Sequence, residues 1–129
     1  METEQIVRFF SKPVSRILKS SRLDFRKVYE IRLRVGKPMI LLSEKGEVFL
    51  DNAGRQVSDW GKAYQITASD LQETLEVISG YSLYAYEEEL RQGFLTVWGG
   101  HRVGVAGRAV LSGQNVEGLR DIACINLRL

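Results

Sequence analysis

One cysteine, one histidine and two prolines occur in 129 residues, and each scarcity closes a class of explanation. The lone Cys124 cannot form an internal disulfide and fits a reducing compartment. With His101 as the sole histidine there is no Cys/His cluster for zinc and no Ser/His/Asp set for nucleophilic catalysis, so no metal site is expected. No apolar run approaches the roughly twenty residues that cross a bilayer. The polar, acidic opening Met1-Glu-Thr-Glu-Gln5 is unlike a secretory signal. The expectation is a soluble, cytoplasmic chain that meets a membrane only through partners. Charge of one sign is lacking too: 18 Lys and Arg against 16 Asp and Glu leave +2, which demands no polyanion.

Phosphate loops are also missing. Gly61-Lys62 has the last two letters of a Walker A motif, but Ala63 stands where Ser or Thr would hold magnesium, and Gly54 is too far upstream. Gly99, Gly100, Gly104 and Gly107 do not space as G-x-G-x-x-G, and strand sequence follows where a helix is needed. Gly104-Val-Ala-Gly107 would be a KH-type loop only between helices. These glycines read instead as places where a strand bends or lies close to a neighbour. Glu87-Glu-Glu89 splay around a helix and cannot converge on one bond; they read as a solvated face facing Arg91. The chain thus lacks the parts of an enzyme and needs no cofactor of its own.

What is present suits one α+β domain over residues 1–129, at 44% hydrophobic content. Apolar spacing from Glu2 to Ser20 predicts two short helices, the second capped by Ser11 with Pro13 in its first turn. An Asp24-capped turn follows. From Tyr29 the period falls to two, with Ile31, Leu33 and Val35 on one side and Glu30, Arg32 and Arg34 on the other. Met39–Ser43 and Glu47–Leu50 read as strands, and Asp51–Gly61 as a loop. Thr67 and Asp70 form a capping box for a helix from Ala68, which Gly80 stops. Ser82, with Tyr81 and Tyr86 as its staple, starts a second helix whose face is Leu83, Tyr86 and Leu90, closed by Gly93, so that a helical hairpin spans about 68–92. Phe94–Trp98, His101–Leu111 and Ile122–Leu129 are strands joined by short turns, hence antiparallel. The predicted architecture is a mostly antiparallel sheet with helices on one face.

Arginine outweighs lysine, and its planar fork suits carboxylates and phosphates. Arg32 and Arg34 share a strand face; Arg102 and Arg108 share another unless a bulge at Gly104 or Gly107 intervenes. Four guanidiniums there could bind phosphate or a neighbour's carboxylates, though from spacing alone plain solvation accounts for them slightly better. Cys124 reads as a small buried residue; Trp60 and Trp98 could mark an interface, with a core role as the default.

Three stretches carry a family resemblance. They are Glu30-Ile-Arg-Leu-Arg-Val-Gly-Lys-Pro38, Ile78 to Leu95, and Gly99-Gly-His-Arg-Val-Gly-Val-Ala-Gly-Arg108, with Ile125-Asn-Leu-Arg128 closing the set. From about Tyr29 onward the chain resembles the stage III sporulation protein AA family, which is similar to the hexameric ATPases of secretion and pilus machines. The resemblance implies a PAS-like amino-terminal domain that regulates and oligomerises such a motor. The RecA-like ATPase domain, with its ATP, magnesium and Walker A and B motifs, would lie beyond Leu129. The implied partners are the protein's own motor domain, neighbouring subunits of a homohexamer, and membrane components of a mother cell–forespore channel, with the chain in the mother-cell cytoplasm. By the same analogy Arg102 and Arg108 would reach nucleotide phosphate across a subunit boundary, and Arg32 and Arg34 would line the interface. A competing expectation is a stand-alone nucleic-acid-binding module using a basic sheet face. Near-neutral charge and the lack of an aromatic RNA-binding pattern argue against it, so no nucleic acid is expected.

Overall fold

The computed structural model describes residues 3–80, 87–97, 100–112 and 115–129, with side chains at 3, 87, 90 and 108–121 outside that description. Helices α1 (Thr3–Val7) and α2 (Lys12–Ser20) open the chain, and a 3₁₀ turn (Phe25–Lys27) leads into the sheet. Strands β1 (Val28–Arg34), β2 (Ile40–Ser43), β3 (Gly46–Leu50) and β4 (Gln56–Val57) follow. A second 3₁₀ turn (Trp60–Lys62) precedes α3 (Ala68–Ile78) and α4 (Glu87–Gln92), and β5 (Phe94–Val97), β6 (His101–Ser112) and β7 (Asn115–Arg128) complete it. The seven strands form one sheet in the order β4-β3-β2-β1-β7-β6-β5, every pair antiparallel. The expected α+β architecture is therefore present.

Period-two patterning decides which side of the sheet is covered. Ile31, Leu127, Val103 and Leu95 are register partners across β1, β7, β6 and β5, and all four are buried to 1% or less exposure. Leu33, Ile125 and Val105 form the next such row. The helices pack on these residues. Helix α2 buries Val14, Ile17 and Leu18, each contributing roughly 1.5–3 kcal/mol. Ser11 caps α2 as expected and Pro13 sits in its first turn, where the missing N–H has no partner to lose.

The capping box also forms: Thr67 Oγ1 accepts from Asp70 N at 3.0 Å and Asp70 Oδ2 accepts from Thr67 N at 3.1 Å. Its reach exceeds the local motif. Asp70, only 2% exposed, also accepts from Ser11 Oγ at 2.9 Å and Tyr64 Oη at 2.7 Å, while Ser11 N donates to Thr74 Oγ1 at 3.0 Å. One buried carboxylate thus ties the start of α2, the loop before α3 and α3 itself. Burial, helped by Asp70, pushes the Tyr64 hydroxyl from its usual 10 up to about 12.

Several expectations need correction. Segment 51–61 is not a plain loop: it contributes β4 to the sheet edge and begins the Trp60–Lys62 turn. Val35 lies beyond the end of β1 and is 41% exposed, because the chain turns at Gly36 with φ +74°. Strand β7 starts at Asn115 rather than Ile122, making a long ribbon with β6. The helical-hairpin features at Tyr81, Ser82, Leu83 and Tyr86, and the core role of Trp98, lie outside the described residues.

Candidate functional site: an arginine-lined sheet face

The other side of the sheet carries Glu30, Arg32 and Arg34 of β1, placed there by strict alternation with buried Ile31 and Leu33. Register partners share a face, so three rows can be read across it. Glu30 aligns with Arg128, Arg102 and Thr96; Arg32 with Asn126, Gly104 and Phe94; Arg34 with Cys124 and Ala106. Arg32, Arg34 and Arg102, noted on two separate strands in the sequence, thus come together through β7, which lies between β1 and β6. Arg128 and Asn126 belong with them and were missed. The alternation Cys124-Ile-Asn-Leu-Arg128 was the available signal.

Each guanidinium is held differently. Arg32 Nε donates to Glu30 Oε2 at 3.0 Å, and its Nη2 lies 3.0 Å from the same oxygen. At 42% side-chain exposure for Arg32, this pair contributes about 0–1 kcal/mol. Arg102 stacks over Phe94 with its Cζ 4.2 Å from the ring centroid, a cation–π contact at an exposed position. Arg34 Nε is buried without a hydrogen-bond partner among the described residues. An unmet buried donor costs roughly 1–3 kcal/mol, so a docked acceptor has something to gain at that point. At Gly104 the row has no side chain, and a Cβ there would come no closer than 4.0 Å to Asn126.

Arg108 is placed less closely. Ala106 pairs with Cys124 and Arg108 with Arg120, so two steps on β6 are matched by four on β7. The irregularity therefore falls at the level of Gly107, between Ala106 and Arg108, with its extra length on β7. Arg108 stands beyond it on the long β6–β7 ribbon, and its side chain is outside the described ones.

Cys124 is half-buried on this polar face rather than in the apolar core, with Sγ 3.5 Å from Asn126 Oδ1. Burial raises its thiol pKa against the pull of Arg34 and Arg32, so it stays protonated at neutral pH and is a poor nucleophile. Toward the β4 edge the face turns apolar: Ile40, the partner of Arg32, is 3% exposed, and Phe49 packs on Trp60 with centroids 5.8 Å apart. Trp60 is itself 48% exposed, against its expected core role. Arg, Trp and Phe on one surface is the composition that dominates protein interfaces.

The other sequence candidates resolve simply. Gly61 N donates to Asp59 Oδ1 at 2.8 Å, so the Gly61-Lys62 amide is committed to a turn. Glu88 pairs with Arg91 at 3.0 Å, and Glu89 accepts from Thr96 N at 3.4 Å, closing part of the β5 edge. His101 begins β6 opposite Val97. Among the described residues no three His, Cys, Asp or Glu side chains gather as a metal site, and no helix is long and apolar enough to cross a membrane.

Comparison with known proteins adds the family context. A family model described as sporulation stage III, protein AA matches residues 1–129. Stage III sporulation protein AA of Bacillus subtilis (strain 168) is 40% identical over 102 residues, which cover 79% of this chain and 29% of that protein. The chain therefore spans less than a third of that relative's length. No solved structure matches it.

Proposed function

The chain belongs to the sporulation stage III protein AA family, and from that premise we propose that it is the amino-terminal regulatory and oligomerisation domain of a hexameric secretion-type ATPase acting in endospore formation. The family relation supports a role in sporulation. The observation that carries the finer reading is the uncovered arginine-lined face: four guanidiniums, one of them with a buried Nε that has no partner among the described residues, and an aromatic edge. Such a face suits a neighbouring subunit or the protein's own motor domain.

In this reading residues 1–129 form one PAS-like domain, and the motor, with ATP, magnesium and Walker motifs, lies in the part of the relative beyond the match. Arg32 and Arg34 bind carboxylates of the adjacent subunit. Arg102 and Arg108 reach the nucleotide bound next door, where a guanidinium fork pairs with phosphate oxygens. The assembled ring sits in the mother-cell cytoplasm against the membrane components of the forespore channel.

The test uses the full-length protein. Arg102→Ala and Arg108→Ala should each lower ATP turnover at least about 10-fold, as loss of a trans arginine does in related chemistry, with little change in the unfolding midpoint. Unchanged turnover in both variants would remove the nucleotide role.

A further inference from the structure

Charge on this chain is segregated although its sum is small. From residue 8 to residue 27 stand Arg8, Lys12, Arg16, Lys19, Arg22, Arg26 and Lys27 against Asp24 alone, seven minus one, or +6. The other residues hold eleven cations and fifteen carboxylates, or −4, which restores the total of +2.

Folding gathers several of these cations into a crest. Lys12, Arg16 and Lys19 are exposed on α2 at spacings of four and three residues, within an arc of about 60°. Val14, Ile17 and Leu18 occupy the opposite arc and anchor it to the core. Arg8, exposed just after α1, lines the same surface cavity as Lys12 and Lys19, and Arg22 is exposed just after α2. Glu4 and Glu73 also line that cavity. Among the described residues none of Arg8, Lys12, Lys19 and Arg22 forms an ion pair; Arg16 donates to the neutral Asn52 at 3.4 Å, and Asp24 is engaged by Arg26. Like charges four apart on a helix repel, so Lys12 beside Arg16 weakens the helix slightly and calls for a compensating partner.

We infer that this crest docks directly on an anionic lipid surface. The exposed arc of α2 is backed by the core, and its long side chains share one side of the helix, so a flat array of headgroup phosphates can meet them together. An acidic peptide seated in the cavity that Arg8, Lys12 and Lys19 line would also meet the carboxylates of Glu4 and Glu73. A protein that reads nucleic-acid bases sets aromatic or amide side chains among its cations. Between these cations on α2 stand Pro13, Val14, Ser15, Ile17 and Leu18. The helices lie on the far side of the sheet from the arginine face, so docking by α2 leaves that face directed away from the bilayer and open to neighbours. The inference does not depend on the proposed motor.

The test is co-sedimentation of the full-length protein with vesicles of phosphatidylcholine alone and of phosphatidylcholine mixed equally with phosphatidylglycerol. Binding to the mixed vesicles only, lost as salt is raised, is expected. Each cation removed should weaken partition about five-fold, so Lys12→Gln with Lys19→Gln should lose about 25-fold. The charge reversal Lys12→Glu with Lys19→Glu should abolish binding, with circular dichroism confirming that both variants remain folded. Arg55→Ala, exposed near β4, should bind normally. Equal binding to both vesicles, no loss in the glutamine variant, or displacement from mixed vesicles by stoichiometric duplex DNA would each overturn the inference. Any of these would leave the arginine-face reading intact.

Discussion

Asp70 and Arg34 lie on opposite sides of one sheet, and their polar groups are treated in opposite ways. On the helical side Asp70 is 2% exposed, and both its carboxylate oxygens are matched to donors from three elements. On the open side Arg34 keeps a buried Nε without an acceptor among the described residues, and Arg102 and Arg128 on the same face stand exposed. A closed network of this kind specifies the fold and asks nothing of a partner. A face with surplus donors offers a docked acceptor something to pair with.

That difference can be broken or sharpened by substitution. Asp70→Ala removes the acceptor of Ser11 Oγ, Tyr64 Oη and Thr67 N together, and should destabilise the chain by roughly 3–5 kcal/mol in denaturant titrations. A loss below 1 kcal/mol would mean water replaces the carboxylate, and the contrast would fail. Tyr64→Phe should cost about 1–2 kcal/mol at neutral pH by leaving one Asp70 lone pair unmet. Because the folded state raises the Tyr64 pKa to about 12, its contribution is full below pH 10 and is lost as pH rises toward 12. The stability gap between wild type and Tyr64→Phe should therefore narrow over that window. Ser11→Ala, which deletes the cap of α2 and one Asp70 donor, should cost about 1 kcal/mol. Smallest of all, Arg102→Ala should change stability by no more than about 0.5 kcal/mol.

Local chemistry was what the sequence made readable. Thr67 and Asp70 announce a helix start because the capping box spans three residues, and Ser11 with Pro13 announces α2 for the same reason. The partners Ser11 and Tyr64 of Asp70 were not readable, since their meeting depends on how α2 packs against α3. Strand β4 was missed because Gln56–Val57 is too short to show alternation and is defined only by pairing with β3. For Cys124 the residue type misled: it suggested burial, yet alternation with Ile125 and Leu127 puts it on the polar face. The arginines of β1 were placed correctly from period two, but their convergence with Arg102 required the strand order. The crest of α2 escaped because a net charge of +2 averages a +6 segment against the rest. The family assignment rested on long ordered stretches, and the match over residues 1–129 bears it out.

The most direct test of the account is sedimentation of the full-length protein carrying Arg32→Ala and Arg34→Ala beside an unfolding titration of the same variant. The account predicts a smaller assembly than wild type at equal concentration, with the unfolding midpoint nearly unchanged. An unchanged assembly together with a midpoint lowered as far as by Asp70→Ala would contradict it, because the arginine face would then serve the fold and not a partner.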